Sequence, residues 1–218
     1  YDEVANKKST NSSRKIAVLY AQGNIVSGEG LPGQIGGDRL ARQVRELRLD
    51  KDVKAVVLRV NSPGGSALAS DIIQREVRLL HKQKPVIISM GDVAASGGYW
   101  ISTYSNKIFA ESNTITGSIG VIGINFNYQK LANNNGITWD VVKTSKLADS
   151  STIARPRTPQ ELAISQQMVN NIYDDFLNKV SESRKLPKQK VAEIAQGRVW
   201  SGSDAKKVGL VDDIGGLN

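Results

Sequence analysis

The sequence contains no cysteine among its 218 residues. Structural disulfides, thiol nucleophiles and cysteine-type metal sites are therefore excluded, although a cysteine-free chain suits an oxidising and a reducing compartment equally well. No apolar run approaches the roughly 18 residues that span a bilayer, and no signal peptide is visible. Histidine is nearly absent, with His81 as the only one. Any histidine-dependent chemistry would have to use that single side chain.

The totals are those of a globular protein, with 39% hydrophobic and 23% charged residues and a formal net charge of +8. This length suits a single α/β domain with a substantial core. The positive charge favours solubility, or attraction to an anionic membrane or a nucleic acid. Because no basic stripe is interleaved with aromatic residues, nucleic-acid binding is not expected. The polar tract 1–14 predicts a linker or disordered lead-in before a domain over 15–218, and a linker at the start suggests that something precedes it.

Strand-like and helix-like segments alternate from Ile16 to Val121, which predicts repeated ββα or βαβ units around a largely parallel sheet. The glycine-rich stretch from Gly23 to Gly37 is predicted to be a mobile loop, and it lacks the pattern of a nucleotide-binding loop. Strands are predicted at 15–20, 53–60, 85–90, 107–110, 114–124, 137–142 and 210–211. Helices are predicted at 39–48 with Asp38 as N-cap, 66–82, 97–104, 127–135, 158–185, 188–196 and 202–208. In the long helix, Thr158 and Glu161 form a capping box. The side chains predicted to face inward are Leu162, Met168, Val169, Ile172, Phe176 and Val180.

Small residues crowd the junction between the strand 85–90 and the segment that follows it, Ala94-Ala95-Ser96-Gly97-Gly98. A tight strand-to-helix turn of this kind exposes a serine hydroxyl, here that of Ser96. The backbone N–H groups at the start of the helix suit a developing oxyanion. The alternative is a small-residue helix packed on a sheet, with Ser96 as its cap. These residues alone leave both interpretations open.

A second motif, Asn61-Ser62-Pro63-Gly64-Gly65, follows the strand 53–60 directly. Two glycines after a proline allow a turn whose successive N–H groups point outward. Such a turn supplies half of an oxyanion hole for a nucleophile on another strand, although a lone Pro-Gly-Gly is more often an ordinary turn.

The two motifs resemble those of the signal peptide peptidase A (protease IV) family. The resemblance extends over nearly the whole chain and includes Thr116-Gly117-Ser118, Gly197-Arg198-Val199-Trp200 and Gly209-Leu210-Val211-Asp212. The resemblance implies a Clp/crotonase-like α/β fold with C-terminal helices and a Ser-Lys dyad without a cofactor. Ser96 matches the family's nucleophile. Gly65 and Gly97 match its oxyanion-hole donors, and Ser118 matches the serine that orients the lysine.

The lysine itself does not carry over from the family. Short members place it in a Lys-Ser-Gly-x-x-Lys-Asp-like segment, and the corresponding stretch here has Ala148 in that position, before Asp149. This form resembles the C-terminal half of the long, tandem members, in which the first half carries the lysine. The base is therefore expected from an upstream half or a neighbouring subunit. Lys143 and Lys146 are the local substitutes, or simply part of a solvated loop.

The resemblance further implies apolar peptide substrates such as remnant signal peptides, and a homo-oligomer. It also implies membrane association through a segment outside this chain, with the domain on the non-cytoplasmic side. Two rivals remain. A crotonase-type acyl-CoA enzyme would use the same two N–H donors with a carboxylate, of which Asp92 is the nearby one. An assembly or scaffold domain would need no lysine.

Overall fold

The computed structural model describes residues 14–217, so the predicted linker lies outside the described residues except for Arg14. The chain divides into two compact units. The first contains residues 14–120 and 176–217, and the second contains residues 121–175. Across the described part of the chain, no helix has the length and apolar character needed to cross a bilayer.

A mostly parallel sheet is the centre of the first unit. The strands are β1 (Lys15–Gln22), β2 (Asn24–Val26), β3 (Gln34–Gly36), β4 (Val53–Ser62), β5 (Val86–Ala95), β6 (Lys107–Ala110), β7 (Ile115–Gly117), β8 (Val199–Ser201) and β9 (Asp213–Ile214). The main sheet runs β1-β4-β5-β6-β9 with every neighbouring pair parallel, while β7 pairs with the end of β5 and β8 lies antiparallel to β7. A separate parallel pair joins β2 and β3. The predicted α/β class with a largely parallel sheet is confirmed.

Helices complete the two units. They are α1 (Gly37–Leu49), α2 (Ala67–His81), α3 (Gly97–Ser102), α4 (Gln129–Asn134), α5 (Pro159–Arg184), α6 (Lys188–Ile194) and α7 (Gly202–Lys207). Alternate residues of β4, such as Leu58 and Val60, are buried, as are Ile73 and Val77 on one face of α2. Each such side chain stabilises the fold by roughly 1.5–3 kcal/mol when it is removed from water. This core holds the ends of β4 and β5 together at one edge of the sheet.

The predicted capping box at the start of α5 is confirmed. The Thr158 N–H donates to Glu161 Oε2 at 2.8 Å, and the Glu161 N–H donates to Thr158 Oγ1 at 3.2 Å. The two side chains therefore satisfy each other's free backbone donors where the helix begins.

Two predictions in the glycine-rich segment were wrong. The stretch from Gly23 to Gly37 is not simply a loop, because it contains β2 and β3. Asp38 is not an N-cap, because α1 already begins at Gly37 and Asp38 lies in its first turn. Glycines at both ends of these short strands hid the Ile25-Val26 pair that forms β2.

Three predicted strands were also wrong in extent or position. The strand over 114–124 is only Ile115–Gly117, because Gly117 and Ser118 have positive φ angles that turn the chain out of the sheet. No strand occupies 137–142. Leu210 and Val211 are buried but donate their N–H groups to Ala205 O at the end of α7, so the last strand lies further on, in β9.

The inward orientation predicted for one face of α5 is confirmed for Phe176 and Val180, which are buried. It was wrong for Leu162 and Met168, which are 49% and 64% exposed. Both side chains lie in the second unit, and Glu161 is the only buried residue among the described residues 121–175. A segment without a buried apolar residue has no core for these side chains to enter.

Candidate active site

Ser96 stands on the turn between β5 and α3. Its backbone has φ 53° and ψ −119°, a conformation rare for a residue with a side chain. The Ser96 N–H donates to Gly117 O and the Trp100 N–H donates to Ser96 O, each at 2.9 Å. The turn is thus held on both sides, and the half-buried serine lies at the carboxyl edge of the sheet.

The Pro-Gly-Gly turn after β4 lies directly against this serine turn. A Cβ atom built on Gly64 would lie 2.6 Å from the Gly97 nitrogen and 2.9 Å from Ser96 Cβ. A Cβ atom built on Gly97 would lie 3.2 Å from the Gly65 nitrogen. The close approach of the two turns therefore requires glycine, and it brings the Gly65 and Gly97 amides beside Ser96.

Neither amide is used elsewhere in the part of the chain that the structure describes: Gly65 and Gly97 find no backbone or side-chain acceptor for their N–H groups. Gly97 is buried, where an unpaired backbone donor costs free energy, whereas Gly65 is exposed. Beside a serine hydroxyl, the two N–H groups can donate hydrogen bonds to a negatively charged oxygen.

Strand β2 holds the Pro-Gly-Gly turn in place. The Ile25 N–H donates to Gly64 O and the Ser66 N–H donates to Ile25 O, both at 2.8 Å. A Cβ on Gly65, whose φ is 149°, would lie only 2.0 Å from Ile25 O. Ser66 then caps α2 by accepting from the Ala69 N–H. Sequence reasoning did not predict that β2 holds this turn. The one signal in the sequence for β2 was the apolar Ile25-Val26 pair among glycines.

Ser118 lies beside Ser96. Strands β5 and β7 pair Ala95 with Gly117, and the two serines are the residues that directly follow that pair. Neighbouring parallel strands are about 4.8 Å apart, so the serine backbones leave the sheet side by side. The Ser118 N–H donates to Arg198 O at 2.7 Å, and its φ of 48° turns it away from the strand.

The local lysines offered as substitutes lie in the second unit. Lys143 Nζ donates to Asp149 Oδ1 at 2.8 Å, so this amine is engaged in an ion pair within its own loop. Lys146 is exposed to solvent, as is Ala148. Neither lysine has the desolvated environment that a neutral amine requires.

Asp149 also belongs to an ion network with Arg155 and Glu161. Arg155 donates to Asp149 Oδ2 at 2.9 Å and to both oxygens of Glu161, at 2.7 and 2.9 Å. Hydrogen bonds from Arg155, then from Lys143, hold the pKa of Asp149 well below its usual range. Hydrogen bonds from Arg155 and the Thr158 N–H lower the pKa of Glu161 to about 2. The network ties the loop that carries Lys143 to the start of α5.

His81 takes no part in this arrangement. It lies in the last turn of α2, where its Nδ1 is 3.2 Å from Asn106 Oδ1. The opposite end of this 15-residue helix begins beside the Pro-Gly-Gly turn, roughly 20 Å away at 1.5 Å per residue. The serine therefore has no histidine partner.

Comparison with known proteins agrees with this architecture. Residues 78–218 match peptidase family S49. The chain is 44% identical over 216 residues to Protease 4 of Salmonella typhi, covering 99% of this chain and 35% of that protein. It is 48% identical over 209 residues to Protease 4 of Haemophilus influenzae, covering 95% and 34%. The chain therefore spans about a third of the length of these curated relatives.

The fold is also that of a solved structure, a ClpP1 mutant from Listeria monocytogenes. The TM-score is 0.63 at 15% sequence identity, with 92% of each chain covered. At that identity the likeness concerns the fold alone. The match over 78–218, which includes the Ser96 turn and the Thr-Gly-Ser motif, identifies the sequence more closely: the chain belongs to peptidase family S49.

Proposed function

We propose that this chain is the nucleophile-bearing domain of a serine endopeptidase that uses a Ser-Lys dyad. The observation that carries the proposal is the junction of the two glycine turns, where Ser96 stands beside the unused Gly65 and Gly97 amides. Ser96 Oγ attacks the carbonyl carbon of a peptide bond while a neutral lysine takes its proton. The carbonyl oxygen becomes an oxyanion that accepts hydrogen bonds from the two amides.

In the next step the lysine acts as an acid instead of a base. The lysine gives its proton to the leaving amine, and the C–N bond breaks to leave an acyl-enzyme on Ser96. The lysine then takes a proton from a water molecule that attacks the ester carbonyl, and it gives that proton to Ser96 Oγ as the C–O bond breaks, which restores the serine and the neutral lysine. Ser118, beside Ser96, is the positioning residue that accepts a hydrogen bond from the lysine.

The lysine comes from an upstream half or from a neighbouring subunit. This part of the proposal is supported by the ion pair of Lys143 with Asp149 and by the exposure of Lys146, because neither side chain has the buried, desolvated environment of a lysine base. It also agrees with the length of the Protease 4 relatives, which extend well beyond the matched region.

A second copy of the chain, or a homologous half, covers the second unit. Thirteen large hydrophobic side chains of residues 121–175 are exposed, among them Ile122, Val142 and Met168 at 84%, 98% and 64%. Single exposed hydrophobic residues are ordinary, but so many in one short segment mark an interaction surface. This supports the homo-oligomer that the family resemblance implies.

The substrates proposed for the complete protein are apolar peptides in extended form, such as remnant signal peptides. An extended peptide adds as a strand through main-chain hydrogen bonds, and its scissile bond would lie beside Ser96, where β5 ends. We further propose a membrane-associated protein with this domain on the non-cytoplasmic side.

A scaffold domain without activity is the second candidate, favoured by the lack of a suitable lysine in the Lys143–Asp149 loop. Labelling with a serine-directed fluorophosphonate separates the candidates. A dyad protein, assayed with its lysine-bearing half, labels at Ser96 and loses the label in Ser96→Ala but not in the control Ser105→Ala. Absence of labelling would favour a scaffold, or an acyl-CoA enzyme that needs no nucleophile.

A further inference from the structure

Six lysines gather at the edge of the main sheet opposite Ser96. In a parallel sheet all strands begin at one edge, and here the starts of β1, β4, β5 and β6 carry lysine side chains. We call them the basic edge: Lys15, Lys51, Lys54, Lys82, Lys84 and Lys107. They come from four separate places in the sequence, so no run of basic residues reveals them.

Hydrogen bonds make this edge continuous. The Lys15 N–H donates to Asp52 O, which joins the start of β1 to the turn before β4. Lys84 Nζ donates to Leu47 O at 2.7 Å and also to Asp50 O, which joins the turn before β5 to that same turn. The Asn106 N–H donates to Val86 O and brings the start of β6 alongside.

The basic edge carries an excess of positive charge that the protein does not neutralise. Four carboxylates lie at this edge. Asp212 and Asp213, at the start of β9 beside Lys107, are paired with Arg184 and Lys206. The other two are Asp50 and Asp52, and the Lys15–Asp52 contact is long at 3.7 Å and exposed. Lys51 and Lys82 are exposed and make no ion pair within residues 14–217. Because Arg184 and Lys206 balance Asp212 and Asp213, six lysines and two further carboxylates leave a formal charge of about +4 at this edge, about half of the chain's +8.

We infer that the basic edge binds the surface of an anionic lipid bilayer. The lysines lie on separate turns, so they present a broad array of point charges, which suits a diffuse anionic plane. Arg14, directly before Lys15, is an arginine at this edge, but exposed aromatic side chains, which stack on bases in nucleic acids, are absent from these described lysine-bearing turns.

The basic edge lies far from the carboxyl edge of the sheet, where Ser96 stands. Strand β5 has 10 residues, and at about 3.3 Å per residue it separates the two edges by roughly 30 Å. A domain that rests on its basic edge therefore directs Ser96 away from the lipid. An apolar peptide has to leave the bilayer before it reaches the nucleophile.

The test is vesicle co-sedimentation of the 218-residue chain, and it concerns binding only, so it succeeds or fails independently of the proposed peptidase activity. We expect binding to vesicles of 30% phosphatidylglycerol in phosphatidylcholine, none to phosphatidylcholine alone, and loss of binding in 0.5 M salt. The double variant Lys51→Gln/Lys82→Gln is expected to bind about 30-fold more weakly, since each lysine near an anionic surface contributes about a fivefold change.

The control variant Lys130→Gln/Lys190→Gln removes the same charge from exposed lysines elsewhere and is expected to bind within twofold of the parent. Equal weakening of both variants would overturn the inference, because net charge alone would then explain binding. Binding to uncharged vesicles, or tighter binding to a 30-base-pair random duplex than to the anionic vesicles, would overturn it as well.

Discussion

At the scale of single residues, the candidate site depends on backbone conformations that few side chains tolerate. Ser96 has a positive φ angle although it is not a glycine, and such strained residues are common at functional sites. Gly64, with φ 100°, allows the neighbouring turn to approach within contact of the serine. The nucleophile and the proposed oxyanion donors are thus positioned by backbone geometry, before any substrate is present.

In the protein joined to its lysine-bearing half, Gly64→Ala is expected to slow fluorophosphonate labelling of Ser96 by at least about 100-fold, a loss of the kind seen when one oxyanion donor is removed. The added Cβ would lie 2.6 Å from the Gly97 nitrogen, so the two turns would have to separate. The matched control is Gly33→Ala, which has a similar positive φ of 80° but open space around the new Cβ. Equal loss in both variants would show that backbone strain, and not the collision, is responsible.

At the scale of secondary-structure elements, apolar periodicity and capping signals were sufficient for much of the fold. The runs that became β1, β4 and β6, and the capping box of α5, were predicted because local residues determine them. Strands β2 and β9 were not, because each depends on distant pairing: β2 lies against Gly65, and β9 pairs with β6 about a hundred residues earlier. The site motifs could be located in the sequence, but the hydrogen bonds by which Ile25 holds the Pro-Gly-Gly turn could not be predicted from it.

The start of α5 offers a pH-dependent test. Arg155 and the Thr158 N–H lower the pKa of Glu161 from 4.5 to about 2. A carboxylate whose pKa is lower in the folded state stabilises it fully above its ordinary pKa, and that contribution is lost as the pH falls towards 2. A carbon-detected NMR titration of Glu161 should therefore show a midpoint near pH 2, and Arg155→Gln should move that midpoint upward.

Arg157→Gln is the matched control for this titration. It removes the same type of side chain from the same segment, but Arg157 donates to Ser165 and not to Glu161. The Glu161 midpoint should stay near pH 2 in this variant. A midpoint near 4.5 in the parent protein would contradict the ion network.

At the scale of the whole molecule, the two units differ in kind. The first has a conventional core around a parallel sheet, whereas the second exposes most of its large hydrophobic side chains. A folded unit that buries so little apolar surface gains little stability by itself. The same incompleteness applies to the chemistry, because Ser96 is well positioned while Lys143 is ion-paired and Lys146 is exposed. The proposed partner half, which would cover apolar surface and contribute the base, accounts for both observations.

The most direct test of this account measures hydrolysis of an apolar fluorogenic peptide by the chain alone and by the chain joined to an upstream half of the kind that the longer relatives contain. The account predicts activity in the joined protein only, lost in Ser96→Ala and retained in Ser105→Ala. Activity of the isolated chain that disappears in Lys146→Ala or Lys143→Ala would contradict it by placing the base within this sequence. Absence of activity in both forms would contradict the assignment of a working dyad altogether.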